Sequence, residues 1–107
     1  MADHPRFGPA GMPSGFKALK LTVDEVPRYI RNEGLDAFEY QMVRCGPKPQ
    51  IKRETAEKLG KNAAEYDVWL TAHGSYFVNL TARGEVLEAS KKRLLACVTG
   101  ADWMGAH

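Results

Sequence analysis

His73 closes an apolar run, Val68-Trp69-Leu70-Thr71-Ala72-His73, and is followed at once by Gly74, Ser75 and the aromatic Tyr76. Neutral imidazole is the commonest metal ligand and the usual proton shuttle near neutral pH. A histidine at the end of a strand is therefore a candidate for either task, or for a plain hydrogen bond to a neighbouring carbonyl. Glu39 lies in a second run, Ala37-Phe38-Glu39-Tyr40-Gln41-Met42-Val43, where alternation puts it on the face opposite to Phe38 and Tyr40. A carboxylate within a sheet requires a partner or a function, whereas one at a strand end meets solvent. Tyr76 falls on the loop after His73, where an aromatic stacks on a base, wedges into a duplex, or packs beneath the loop. Asn79 caps the turn before the next helix or donates to a ligand. After the Glu39 run, the loop Arg44 to Arg53 carries Arg44, Lys48, Lys52 and Arg53 and no acid, a set suited to phosphate oxygens as well as to solvent.

The elements that would position these residues follow from periodicity and punctuation. Phe7, Phe38 and Trp69 stand 31 positions apart, each in a short apolar run, and that is the length of a βα unit. Between the first two runs, Thr22 and Glu25 form a capping box, Pro27 falls in the first turn, Val26, Tyr29 and Ile30 make an apolar stripe, and Gly34 stands at the end. These are start and stop signals for a helix of about three turns. A second helix is expected over roughly Lys52 to Tyr66, with Ala56, Leu59, Ala63 and Tyr66 at helical spacing. A third is expected from about Gly84 to Val98, either ending there or continuing through Ala101-Asp102-Trp103-Met104, with Gly105 near its cap. Its inward residues are Val86 or Leu87, Leu94, Leu95 and Val98, with Lys91, Lys92 and Arg93 outward. Arg6 opens the first strand and reads as structural or solvent-facing. The stretch Gly8 to Gly15 is a turn-forming loop, because it lacks the GxGxxG pattern leading into a helix that a phosphate loop requires.

Strand, helix, strand, helix, strand, helix is the order that builds a parallel sheet, so the fold class is α/β, and a fourth strand is expected directly after His107. The 107 residues make one domain, far below the ~250 residues of a (β/α)8 barrel. A net charge of +2 makes no global case for nucleic acid or an acidic membrane, so any such case is local. Cys45 and Cys97 lack the CxxC spacing of a zinc knuckle or redox pair, and Cys97 reads as a small buried apolar side chain. The opening Met-Ala-Asp-His-Pro-Arg has no apolar segment of leader length, and no run approaches the ~18 apolar residues that span a bilayer. A cytoplasmic location with reduced thiols and no membrane partner is the expectation.

The string His73-Gly74-Ser75-Tyr76-Phe77-Val78-Asn79-Leu80 resembles the H-A-P-Y-x-x-N-L motif of the endonuclease IV type of apurinic/apyrimidinic endonuclease, a family of the xylose-isomerase-like TIM barrels. Arg6-Phe7-Gly8-Pro9-Ala10-Gly11, Asp36-Ala37-Phe38-Glu39-Tyr40-Gln41 and Trp103-Met104-Gly105-Ala106-His107 extend the similarity, which is greatest to the archaeal branch. The resemblance implies that residues 1–107 are the first three βα units of a parallel (β/α)8 barrel, the remainder of the barrel being a necessary partner. It implies cleavage of double-stranded DNA 5′ to an abasic site by water activated on zinc. In that reading His73 matches the first zinc histidine, Tyr76 the aromatic that enters DNA at the lesion, and Arg44, Lys48, Lys52 and Arg53 the DNA-contacting loop, while Asn79 and Leu80 match the motif without an assigned role. Glu39 and Asn79 stand as additional candidate site residues from their strand and loop positions, not from the resemblance. Gly74-Ser75 departs from the family's Ala-Pro and loosens the turn before Tyr76. The family's other zinc ligands lie on later strands, and His107 is not counted among them, so the isolated chain is expected to be inactive. The alternative is a sugar or sugar-phosphate isomerase or epimerase of the same superfamily, with His73 and Glu39 moving protons or binding one divalent ion. A non-catalytic α/β interaction module is the third reading.

Overall fold

Apolar residues at alternate positions of two short runs are enough to make a parallel pair with one buried face. The structure, a computed structural model, describes residues 4–17, 19–42 and 46–107. In chain order it contains a single turn α1 (Ser14–Lys17), a 3-10 turn (Val23–Glu25) leading into α2 (Val26–Asn32), β1 (Ala37–Gln41), α3 (Arg53–Glu65), β2 (Trp69–His73) and α4 (Gly84–Trp103). β1 and β2 pair in parallel, joined by α3 as the crossover helix. Helices cover one face of this pair. Phe38 and Leu70, partners in the register, are both buried there with Phe16, Val26, Ile30, Ala56, Leu59, Ala63, Val68 and Met104. Each large apolar side chain so enclosed contributes about 1.5–3 kcal/mol.

The first expected strand is reduced to an accompaniment of β1. Residues 7–11 run alongside it in parallel, with the Ala37 N–H on the Phe7 carbonyl, the Glu39 N–H on the Pro9 carbonyl and the Gly11 N–H on the Glu39 carbonyl. Only the Ala10–Glu39 bridge is regular. Pro9 explains the gap, since it lacks the N–H that would reach the Ala37 carbonyl. Gly8 is required here, because a Cβ would fall on the Ala37 carbonyl oxygen.

The spacing of 31 does not survive in the pairing. Phe38 aligns with Leu70, and Ala37 with Trp69, so β2 is offset from β1 by 32. Phe38 is consequently buried under the helices while Trp69 lies on the other face, and Phe7 is exposed. The offset has a chemical result: Gln41 aligns with His73 and Glu39 with Thr71, placing both candidate side chains on the face away from the helices.

α2 starts after the 3-10 turn, and Thr22 makes no side-chain capping bond, so the expected capping box is absent; the Glu25 N–H reaches the Thr22 carbonyl instead. Its stripe is as expected, with Val26 and Ile30 buried, Tyr29 half-buried, and Gly34 at φ +81° ending it. α3 matches its expected span and buries Ala56, Leu59 and Ala63. α4 continues past Val98 to Trp103, but with the opposite face inward. Ser90, Ala96, Cys97 and Gly100 are buried and Leu87 half-buried, whereas Val86, Leu94, Leu95 and Val98 are exposed. Small residues face in because α4 lies close against Met42 and Ile51; a Cβ on Gly100 would stand 3.0 Å from the Met42 Sδ. Large aliphatics would not fit in that gap, so they are left outside.

Candidate functional site

β1 and β2 end side by side, and their carboxyl ends carry the site. Glu39 and His73 sit on the uncovered face, one diagonal step apart in the register. That separation is spanned by the length of the glutamate: its Oε1 lies 3.4 Å from His73 Nδ1. The Glu39 and His73 side chains are 33% and 46% exposed, so the pair is reachable by solvent and by a ligand. Tyr76 meets the imidazole edge-to-face, with ring centroids 5.7 Å apart and planes at 74°. At 68% exposure it is not a packing residue under the loop.

The loop holding Tyr76 is built by local polar contacts. The Phe77 N–H donates to Ser75 Oγ, the Thr81 N–H and hydroxyl donate to Asn79 Oδ1, and the Asn79 N–H donates to Ser90 Oγ on α4. Asn79 therefore shapes the turn before α4, the first of its two sequence readings. Ser90 is the anchor that sequence reading passed over, being 1% exposed in the middle of a helix. Its only prior signal is that a small polar residue interrupts an otherwise charged or apolar pattern. Arg93, expected outward, sits over the Phe77 ring at 5.3 Å and pins the same loop. Gln41, two residues beyond Glu39, shares the site face and follows from the same alternation.

The basic loop is divided. Arg44 and Cys45 lie outside the described residues. Lys48 and Lys52 are exposed between β1 and α3, Lys52 as the residue before the helix. Arg53 is committed to α3 and α4, with its Nε 3.0 Å from Glu57 Oε1 and its guanidinium 5.8 Å from the Trp103 ring.

A second polar cluster occupies the opposite, amino ends of the strands. Arg6 donates to Asp67 Oδ1 and to the Asp67 and Asp36 carbonyls, and its guanidinium lies 5.7 Å from the Trp69 ring. His107 stacks on the same Trp69, with ring centroids 3.6 Å apart, while its backbone N–H and Nδ1 both face the Leu70 carbonyl. His4 Nε2 lies 2.9 Å from Asp36 Oδ2, and the Phe7 N–H donates to Asp36 Oδ1. The His4 and Phe7 contacts hold the Asp36 carboxyl below the usual carboxylate range, and the Arg6 fork does the same for Asp67. These contacts tie Arg6, Asp36, Asp67 and Trp69 together, and His107 lies at this end, on Trp69, rather than beside His73.

A catalytic zinc takes three protein donors and a structural one four. Imidazole and carboxylate are suitable donor types, but among the described residues no group of three or more His, Cys, Asp or Glu side chains could hold a metal ion. Nor is any described helix long and apolar enough to cross a membrane. Compared with protein-family models and with curated proteins, the chain matches none.

Proposed function

We propose that this chain is the opening part of a parallel β/α barrel of the endonuclease IV type, acting on abasic sites in double-stranded DNA, with the rest of the barrel as its partner. The observation that carries the reading is the grouping of His73 and Tyr76 at the carboxyl end of a parallel strand, on the face away from the helices. Ligand sites in parallel α/β folds form at that end. His73 supplies one ligand to zinc, and Tyr76, exposed and backed by the imidazole, meets the bases beside the lesion. Lys48 and Lys52 lie on the loop at the same end and face phosphates; Arg44 precedes them in the sequence. Arg53 contributes charge while held by Glu57. The exposed flank of α4, with Leu94, Leu95 and Val98, fits a helix that has a further neighbour. The remaining metal ligands come from outside these residues, so no hydrolytic step is assigned to the chain alone.

The contact between Glu39 and His73 favours a second reading, proton transfer in a sugar isomerase or epimerase, because a carboxylate beside an imidazole is also a general-base arrangement. Binding to a labelled duplex with an abasic-site analogue separates the two. Fluorescence anisotropy of the 107-residue chain is expected to give a Kd of about 10⁻⁶–10⁻⁴ M that weakens with salt, and that weakens further in Tyr76→Ala and Lys48→Ala/Lys52→Ala. No binding at ~1 mM protein would sink the nucleic-acid reading. Metal-dependent nicking by the chain alone, abolished by His73→Ala, would instead sink its incompleteness.

A further inference from the structure

α4 is covered on one side only. Leu94, Leu95 and Val98 are 40%, 66% and 56% exposed, a run of large aliphatics on the flank away from the buried Ser90, Ala96, Cys97 and Gly100. At about 100° per residue these three share a sector of the helix with Lys91 and Asp102, both exposed. Along its length the sector therefore runs cation, aliphatics, anion, with Lys91 and Asp102 about 16 Å apart at ~1.5 Å per residue. We infer that this flank is a self-association surface, on which a second copy of the chain docks its own α4 antiparallel about a two-fold axis. The inference goes beyond the nuclease reading and does not depend on it.

The charge pattern selects that occupant. A two-fold interface presents the same patch from both copies, so the patch must complement itself when reversed. Antiparallel alignment sets Lys91 opposite Asp102 of the second copy, twice over. The same register sets Leu95 opposite Val98, because both pairs are symmetric about the point between Ala96 and Cys97. Parallel alignment would instead oppose Lys91 to Lys91 and Asp102 to Asp102. Lys91 already reaches Glu88 Oε1 at 3.3 Å, but an ammonium has three donors and both side chains are more than half exposed, so it retains capacity for another carboxylate. A lipid surface fits less well: interfacial helices line their polar margin with cations, whereas the acids Glu88 and Asp102 border these aliphatics. Burial of the aliphatics drives the contact, and the charges at its ends set its direction.

Sedimentation equilibrium of the 107-residue chain tests this between about 10 µM and 1 mM. A single helix pair buries less than the ~1,200 Å² of a standard interface, so the expected Kd is about 10⁻⁴ M, with the weight-average mass rising from 11.9 kDa toward twice that value. Leu95→Gln is expected to weaken association at least about tenfold. Lys91→Glu and Asp102→Lys each create two like-charge contacts, and each is expected to weaken it about tenfold at low salt. The double variant Lys91→Glu/Asp102→Lys exchanges the charges and restores association to within about threefold, and a mixture of the two single variants does so as a heterodimer. Far-UV circular dichroism at ~5 µM, where each chain is monomeric, confirms folding. A wild-type chain still monomeric at ~1 mM overturns the inference, as does a dimer that Leu95→Gln leaves intact or that the exchanged charges fail to restore. Growth beyond a dimer, or a monomer that co-sediments with anionic vesicles through Leu95, would assign the flank to indiscriminate aggregation or to a lipid surface and overturn it as well.

Discussion

Two glycines within helices give the sharpest test of the packing described above. Gly60 is central to α3 and Gly100 lies in α4, and replacing an interior helical glycine by alanine gains about 1 kcal/mol of helix propensity. On propensity alone both Gly60→Ala and Gly100→Ala stabilise the protein. The surroundings distinguish them. A Cβ on Gly60 would overlap the carbonyl oxygen of Met104, a backbone atom at the end of α4 that moves only if the helix moves. Overpacking of this kind costs about 1–3 kcal/mol or more, so Gly60→Ala is expected to lose about 1–2 kcal/mol net. A Cβ on Gly100 would lie 3.0 Å from the Met42 Sδ and 3.5 Å from Ile51 Cγ2. A thioether with three rotatable bonds gives way readily, so Gly100→Ala is expected within about 0.5 kcal/mol of the wild type or slightly more stable. Urea titration followed at 222 nm measures both, with equal slopes confirming that only stability has changed. A Gly60→Ala chain as stable as Gly100→Ala would refute the close approach of α3 and α4.

Acid stability is set by the cluster at the amino ends of the strands. The carboxyls of Asp36 and Asp67 are held below their ordinary value, so the folded state binds fewer protons than the unfolded one. Their contribution is present above the unfolded pKa of ~3.9 and is lost as pH falls through the lower folded values. Thermal melts should therefore show Tm dropping below about pH 4, with Asp36→Asn and Asp67→Asn flattening that limb; parallel curves would count against the assignment. On α4, Leu95 is 66% exposed and Ala96 only 4%, so Leu95→Gln is expected to change stability by no more than ~0.5 kcal/mol, whereas Ala96→Leu costs about 1–3 kcal/mol. The reverse order in urea titrations would restore the inward orientation that hydropathy suggests.

The crossover logic and both long helices were legible in the sequence because each rests on a local signal: apolar spacing in α3, alternation in β1, the apolar run in β2. What escaped was decided by groups far apart in the chain. Nothing near Leu94 says that Met42 packs against Ala96, Cys97 and Gly100 on α4. The repeat of Phe7, Phe38 and Trp69 suggested equivalent strand positions, yet Phe38 pairs with Leu70, since burial rather than residue likeness sets register. Pro9 has the residue type of a turn former, but its missing N–H acts by interrupting a ladder. At the site, alternation sufficed to set Glu39 apart from Phe38 and Tyr40. Its contact with His73 required the register, and the hold of Ser90 on Asn79 required the docking of α4.

The odd spacing from Phe38 to Glu39 and from Leu70 to His73 separates two messages written in one strand. Phe38 and Leu70 maintain the fold from below, while Glu39, Gln41, Thr71 and His73 are spelled on the opposite side. The second message is open to rewriting without erasing the first. A library randomised at those four positions would preserve the core vocabulary entirely, and a lineage carrying this scaffold would be free to exchange one chemistry for another while its architecture stood still.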